Sequence, residues 1–291
     1  MRKTFQSETR TLERVMLKPV STGFQHQASI DAQWQSLNYL GKPDYEKALL
    51  EYEAFENIFK QEGVEVVHFP AADHLSLDSI YCRDASIMTD FGAIICNMGK
   101  GRRKDEPRAL EKAYESLGIP ILGAIHAPAT LEGGDTNWID PHTLAVGQGY
   151  RTNAAGITQL KALAKDKFEV LEVHLPHAKG PSDVFHLMSI LSPIDDDLFL
   201  VYSPLMSVPF RKELLSRGIT LVEVPDEEFE SQGCNVLTFA PRKCIVLEGN
   251  PQTRARLEAH GVEVHTYQGE EISLKGCGGP TCLTRPMQRF V

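Results

Sequence analysis

Residues Val236–Glu270 read VLTFAPRKCIVLEGNPQTRARLEAHGVEVHTYQGE, and the order of elements in this stretch decides the fold. VLTFA and KCIVLEG carry alternating or β-branched residues and read as two strands joined by a tight turn. PQTRARLEAHG has apolar residues at helical spacing and closes on the glycine favoured just past a helix. VEVHTYQGE returns as a third strand. The unit is ββαβ.

Three further copies share this layout. The first is ASIMTDFGAIICNMG, RALEKAYESLG and IPILGAIHAP (residues 85–128). The second is NWIDPHTLAVGQG, AAGITQLKALAKD and FEVLEVHLP (residues 137–176), and the third is LMSILSPIDDDLFLVYS, PFRKELLSRG and ITLVEVPDE (residues 187–227). A fifth copy is split between the termini: LTRPMQRFV at the end, and LERVMLKPV, YEKALLEYEAFENIFKQEG and VEVVHFP at the start. Pairing the last strand with the first blade closes a ring and leaves no exposed sheet edge at the seam. The reading is an α/β protein, a five-bladed α/β propeller of ββαβ units around a central channel. It predicts one catalytic domain over residues 1–291, with the first blade closed by the C-terminal strand.

The composition suits such a domain. Of 291 residues, 42% are hydrophobic and 24% charged, as in ordinary globular proteins. A net charge of -9 argues against nucleic acid as a partner, which calls for a basic stripe. The basic run Lys100–Pro107 is short, either a solvated loop or a site for one small anion. No window approaches the roughly 20 apolar residues of a membrane span, and the first residues lack a signal-peptide apolar run. A cytoplasmic location without membrane partners is the expectation. Six cysteines without regular spacing form no disulfide framework.

The repeat also has a chemical phase. The residues at the start of successive first strands are Asp84, Asp135, His186, Asn235 and Cys282, separated by 51, 51, 49 and 47 positions. In a propeller these five face one end of the channel. Strand starts in a core are usually apolar, and Asp and Asn fit sheets poorly, so convergence on a site explains the phase better than packing. A thiol with an imidazole supplies a nucleophile and a proton carrier. Nearby carboxylates would orient a cation, and a planar guanidinium with five N–H donors suits them.

These residues resemble a known group. Arg83-Asp84, LEGGD (Leu131–Asp135), RTN (Arg151–Asn153), FHL (Phe185–Leu187) and GGPTC (Gly278–Cys282) are together similar to the guanidino-group-modifying superfamily of five-bladed propellers. Its members include arginine deiminases, amidinotransferases and dimethylarginine dimethylaminohydrolases. The resemblance implies Cys282 as nucleophile, His186 as acid/base, and Glu132 and Asp84 as the carboxylates on the guanidinium. It implies Arg102 and Arg151 for the substrate carboxylate, Asp78 for a further substrate contact, and Asp135 for structure or for orienting His186. Length favours the dimethylaminohydrolases. So does Met188, which stands where deiminases and amidinotransferases usually place an aspartate. Arg83 and the glycine-rich GGPTC run lean toward deiminases.

The implied reaction is hydrolysis of N-methylated arginine to citrulline and (di)methylamine through a covalent thiouronium adduct. Carboxylates and substrate charge do the polarising, so neither metal nor cofactor is expected. An arginine deiminase or amidinotransferase of the same superfamily, or a non-catalytic propeller that binds a partner, are the alternatives. Cys82, Cys96, Cys234 and Cys244 read as core thiols, and Cys277, out of phase, as incidental. Residues 21–45 read either as a lid over the channel mouth or as a surface excursion. An outer blade edge is where a homodimer contact would form.

Overall fold

A computed structural model describes residues 3–72 and 74–290. In chain order its elements begin with β1 (Lys3–Thr4), β2 (Thr11–Leu17), the short helices α1 (Val20–Gly23) and α2 (Gln27–Gln33), α3 (Tyr45–Gln61) and β3 (Glu65–His68). One blade follows as β4 (Ser86–Thr89), β5 (Gly92–Ile95), α4 (Glu106–Ser116) and β6 (Ile121–Ala124). The next is β7 (Thr136–Asp140), β8 (Thr143–Gln148), α5 (Ala154–Ala164) and β9 (Glu169–His174). Then come β10 (Leu191–Asp195), β11 (Leu198–Val201), α6 (Val208–Ser216), β12 (Thr220–Glu223) and the single turn α7 (Asp226–Phe229). Last are β13 (Leu237–Ala240), β14 (Lys243–Leu247), α8 (Pro251–Ala259), β15 (Glu263–Tyr267) and β16 (Thr284–Phe290).

Each blade is a small sheet in sequence order, β4-β5-β6, β7-β8-β9, β10-β11-β12 and β13-β14-β15. The first two strands pair antiparallel across a tight turn, and the third pairs parallel after the helix. A helix is required there, because a parallel return cannot be made by a hairpin. The fifth sheet runs β1-β16-β2-β3. The C-terminal strand lies between two N-terminal strands, antiparallel to both. The short outer strand β1 was not legible in the repeat. Pro286 sits inside β16 where the register with β2 shifts, the kind of position a sheet tolerates for a residue without an N–H.

Hydrogen bonds tie each blade to the next at the strand starts. Arg83 N donates to Cys282 O (3.2 Å) and Gly133 N to Asp84 O (2.8 Å). Leu187 N donates to Asp135 Oδ1 (3.1 Å), Ser192 Oγ to Cys234 O (2.7 Å) and Thr281 N to Asn235 Oδ1 (3.0 Å). The five links close a circle around the channel.

Helix α3 covers the closing seam. The Asp44 side chain accepts from Lys47 N and caps its start, and Gly63 follows its end at φ 73°. Phe55 and Phe59 are fully buried, with rings 5.0 Å apart, and they reach Tyr267 and Phe239 of the preceding blade at 4.7 and 5.0 Å. Within residues 21–45, Leu37 and Tyr39 are buried, and Leu40 N donates to Lys275 O at 2.7 Å. Cys82, Cys96, Cys234 and Cys244 are buried in or beside strands, as read.

Because β16 carries ladder bonds on both edges, ending the chain at Leu283 exposes β2 and breaks the circle. The truncated chain should lose its cooperative thermal transition, followed by circular dichroism. A sharp transition near the full-length Tm would show that the seam is dispensable.

Candidate active site

The glycine-rich run before Cys282 is shaped by one aromatic ring. A Cβ on Gly276 would come 1.9 Å from Tyr81 Oη, and one on Gly278 would come 2.4 Å from Tyr81 Cε1. Only glycine lets this backbone lie against the ring. Tyr81 is itself buried and donates to Ile272 O at 3.0 Å. The turn thus presses Cys282 toward the channel. Its Sγ accepts from Asn235 Nδ2 at 3.3 Å, and Asn235 is fixed in turn by Thr281 N and Thr281 Oγ1 (2.7 Å) on its Oδ1.

Cys282 lines a narrow pocket with Asp78, Tyr81, Asp84, Lys100, Arg103, Arg151, Val184, His186 and Cys277. Glu132 lies beneath it, fully buried, and holds three donors: His186 Nε2 at 2.8 Å, Arg151 Nη1 at 3.1 Å and the Lys100 backbone N at 2.9 Å. Asp84 is 2% exposed; one oxygen pairs with Arg103, and the other, Oδ1, is buried without a hydrogen-bond partner among the described residues. That oxygen is an acceptor left open to a ligand.

The structure brings together Cys282, His186, Glu132, Asp84, Asp78 and Arg151. It sets Asp135 one layer behind. The turn Gly133–Asp135 points Glu132 at the pocket and turns Asp135 away, where it accepts from Thr152 Oγ1 (2.7 Å) and Leu187 N (3.1 Å). Asp135 therefore holds the His186 backbone segment and does not face the pocket. Arg102 is exposed, and the pocket is lined instead by its neighbour Arg103. The tight turn Gly101–Arg103 sends adjacent side chains in different directions. Arg103 is locked inward by both oxygens of Glu106 (2.9 and 2.7 Å) and by Tyr81 O (2.7 Å).

Asp78 is also engaged. The Lys100 ammonium sits 2.6 Å from Asp78 Oδ2 and donates to Leu37 O at 2.9 Å. Lys100 and Arg103 carried no signal beyond membership of a basic run. Cys277, read as incidental, reaches the pocket wall because its backbone is left-handed at φ 59°.

Electrostatics sets the resting protonation. Burial alone would lower the His186 pKa, but Asp84, then Asp135 and Glu132, outweigh it and raise it to about 9. Burial would raise Glu132, yet the His186 hydrogen bond and the Arg151 charge hold it well below the usual carboxylate range. Burial, with the Asp84 charge, pushes the Cys282 thiol up, against smaller opposing hydrogen bonds from Asn235 and Thr281. Near neutral pH the site therefore holds a thiol and an imidazolium. One atom each from Asp84, Glu132 and His186 lie within 4.8 Å of one another, the spacing of a metal cage. Glu132 already accepts from His186, Arg151 and Lys100 N, and one Asp84 oxygen pairs with Arg103, so Asp84 Oδ1 is the atom of this group left open to a ligand among the described residues.

Comparison with known proteins agrees with this geometry. A family model described as N,N dimethylarginine dimethylhydrolase, eukaryotic, matches residues 18–289. The chain is 28% identical over 251 residues to the N(G),N(G)-dimethylarginine dimethylaminohydrolase of Pseudomonas aeruginosa, covering 85% of this chain and 91% of that protein. It is 32% identical over 244 residues to the protein of the same name from Streptomyces coelicolor, covering 84% and 87%. Among solved structures, a cysteine-to-serine variant of the Pseudomonas aeruginosa protein complexed with citrulline superposes with a TM-score of 0.75 at 23% identity, covering 96% of this chain and all (100%) of that one. An amidinotransferase from Microseira wollei reaches 0.80 at 17% identity, covering 98% and 97%. Both likenesses carry the propeller fold.

The raised His186 pKa gives a signed test. Its contribution to stability is fully present below the ordinary value of 6.5 and is lost as pH rises through about 9. Unfolding free energy should fall over that window. Glu132→Gln removes one of the raising charges, so the His186 titration followed by NMR should move down toward 6.5. An unchanged titration would contradict the assignment.

Proposed function

Since the chain belongs to the dimethylarginine dimethylaminohydrolase family, we propose that it hydrolyses N-methylated arginine to citrulline and a methylamine, with Cys282 as nucleophile. The observation that carries this reading is the vacant Asp84 Oδ1 in the same pocket as the Cys282 thiol and the His186–Glu132 pair. A guanidinium seated there donates to Asp84 and Glu132, and its central carbon meets the sulfur.

The charges explain how the thiol is activated. Burial and the Asp84 carboxylate disfavour the Cys282 thiolate. A bound guanidinium neutralises Asp84, so the substrate itself lowers the cost of ionising Cys282. Cys282 releases its proton to solvent as the cation binds, the thiolate attacks the guanidino carbon, and a C–S bond forms while the C=N π bond opens. His186, already protonated, gives its proton to the departing methylamine as the C–N bond breaks. The adduct is a thiouronium on Cys282. His186 then takes a proton from water, which adds to the same carbon. The C–S bond breaks, the ureido product leaves, and sulfur regains a proton. Orientation in a sheltered pocket supplies much of the acceleration.

The outer pocket is read in the same way. Asp78 and the Leu37 carbonyl hold the Lys100 ammonium, and the α-ammonium of an amino-acid substrate takes that place when Lys100 withdraws. Arg151, with Arg102 from the exposed turn beside the pocket, meets the carboxylate. Met188 is buried two residues after His186 and offers no acceptor to the second face of the guanidinium, which favours an N-substituted substrate.

A panel of arginine, monomethylarginine and asymmetric dimethylarginine tests the reading, with ammonia, methylamines and citrulline measured together. Methylamine and citrulline should appear in equal amounts, and arginine should react at least about tenfold more slowly, the effect of one lost binding contact. Ammonia from arginine with no reaction of the methylated forms would overturn the substrate choice in favour of a deiminase.

A further inference from the structure

Below the pocket, the channel contains charge that nothing among the described residues balances. Arg83 precedes β4, and Arg285 and Arg289 lie on β16; they are 1%, 4% and 1% exposed. Arg83 Nη2 donates to Glu8 Oε1 at 2.7 Å, and Arg289 Nη1 donates to Thr238 O at 2.9 Å and to Arg10 O. Five buried nitrogens remain without a hydrogen-bond partner among the described residues: Arg83 Nε, Arg285 Nε and Nη2, and Arg289 Nε and Nη2. Buried donors in native proteins are nearly always satisfied, and exceptions point to water or an ion.

The surrounding groups do not supply the missing negative charge. Glu8 is the carboxylate paired with this cluster, and three guanidiniums against it leave two positive charges over. Burial pushes the Cys82 thiol up to about 12, so it is neutral. The Tyr114 hydroxyl is shared with Ser86 Oγ at 2.8 Å, and burial raises its pKa too. Burial and then the like charge of Arg83 lower Arg285 only to about 10; Arg289 is likewise lowered to about 10, by burial first. Both stay charged near neutral pH. An uncompensated buried charge of this size is costly.

The channel is also closed at its far end. Gln6 Nε2 donates to Pro141 O (2.9 Å), Gln6 Oε1 accepts from Asp90 N (3.0 Å), and Thr9 Oγ1 donates to Asp196 Oδ1 (3.0 Å). The segment from Gln6 to Thr9 is therefore laid across three blades, with Glu8 reaching inward to Arg83. At the near end, Arg83 N is bonded to Cys282 O. Dehydration cost rises with the square of an ion's charge, so a sealed site favours a small monovalent anion over phosphate or sulfate.

We propose that the propeller channel binds one small monovalent anion of the halide class among the guanidiniums of Arg83, Arg285 and Arg289. The anion satisfies donors from the start of the β4 blade and from the closing strand β16 together, and so ties these two neighbouring blades from inside. This site is separate from the proposed chemistry and does not depend on it.

Bromide provides the probe. Crystals of the full chain grown in bromide should show an anomalous peak at hydrogen-bond distance from these guanidiniums. In solution, Tm should rise by about 2 °C for each tenfold increase in bromide above its Kd, relative to gluconate at equal ionic strength. Arg285→Met keeps an apolar stem of similar length and should abolish that dependence. Should it fail to fold, Glu8→Gln serves, since removing the carboxylate should shift the bromide midpoint to about tenfold lower concentration. Water alone in the channel, with equal Tm in bromide and gluconate, would overturn the proposal. So would a Glu8→Gln variant with an unchanged bromide midpoint.

Discussion

The circle of hydrogen bonds at the strand starts is the constraint on which the rest of the molecule depends. Each small sheet buries too little on its own to be stable, and each is anchored to its neighbour where the chain passes from one blade into the next. Four of the five anchors are made by residues at the pocket or directly behind it: Asp84 offers its carbonyl to Gly133, Asp135 its carboxylate to Leu187, Asn235 its amide oxygen to Thr281, and Cys282 its carbonyl to Arg83. Fold closure and site assembly are one event. A polar residue at a strand start, unfavourable by propensity, is retained because it performs both tasks.

A second consequence is the density of buried charge. In the pocket, every carboxylate is met by a cation of the chain: Asp84 by Arg103, Glu132 by Arg151 and His186, Asp78 by Lys100. Buried pairs of this sort add little net stability but are severely destabilising when one partner is removed. They hold the carboxylates aimed inward before any ligand arrives. What they leave open is narrow, one oxygen of Asp84. The same surroundings hold the Cys282 thiol protonated, so in the proposed mechanism its reactivity is withheld until a cation enters. Selectivity and activation then come from a single charge.

Much of this was legible in the sequence because repetition converts spacing into position. Strand, helix and strand recur at a period near fifty residues, and the phase of that period picked out Asp84, His186 and Cys282 across nearly two hundred residues. The phase also picked out Asn235, whose contact with the Cys282 sulfur only coordinates reveal. Spacing could not decide what happens within one turn. Asp135 is the residue in phase, yet the carboxylate at the pocket is Glu132, because a tight turn of three residues rotates one in and the other out. The same rotation separates Arg102 from Arg103. Neither the Lys100–Asp78 pair nor the charged channel floor has a sequence signature, since both join segments distant in the chain.

The central claim is that Cys282 forms a covalent bond to the guanidino carbon, in a pocket whose carboxylates hold the cation. Intact-protein and peptide mass spectrometry after acid quenching during turnover of an N-methylated arginine tests it directly. The account predicts a thiouronium adduct on the peptide containing Cys282, lost in Cys282→Ser together with turnover. Full turnover by Cys282→Ser, or an adduct carried by Cys277 alone, would contradict it.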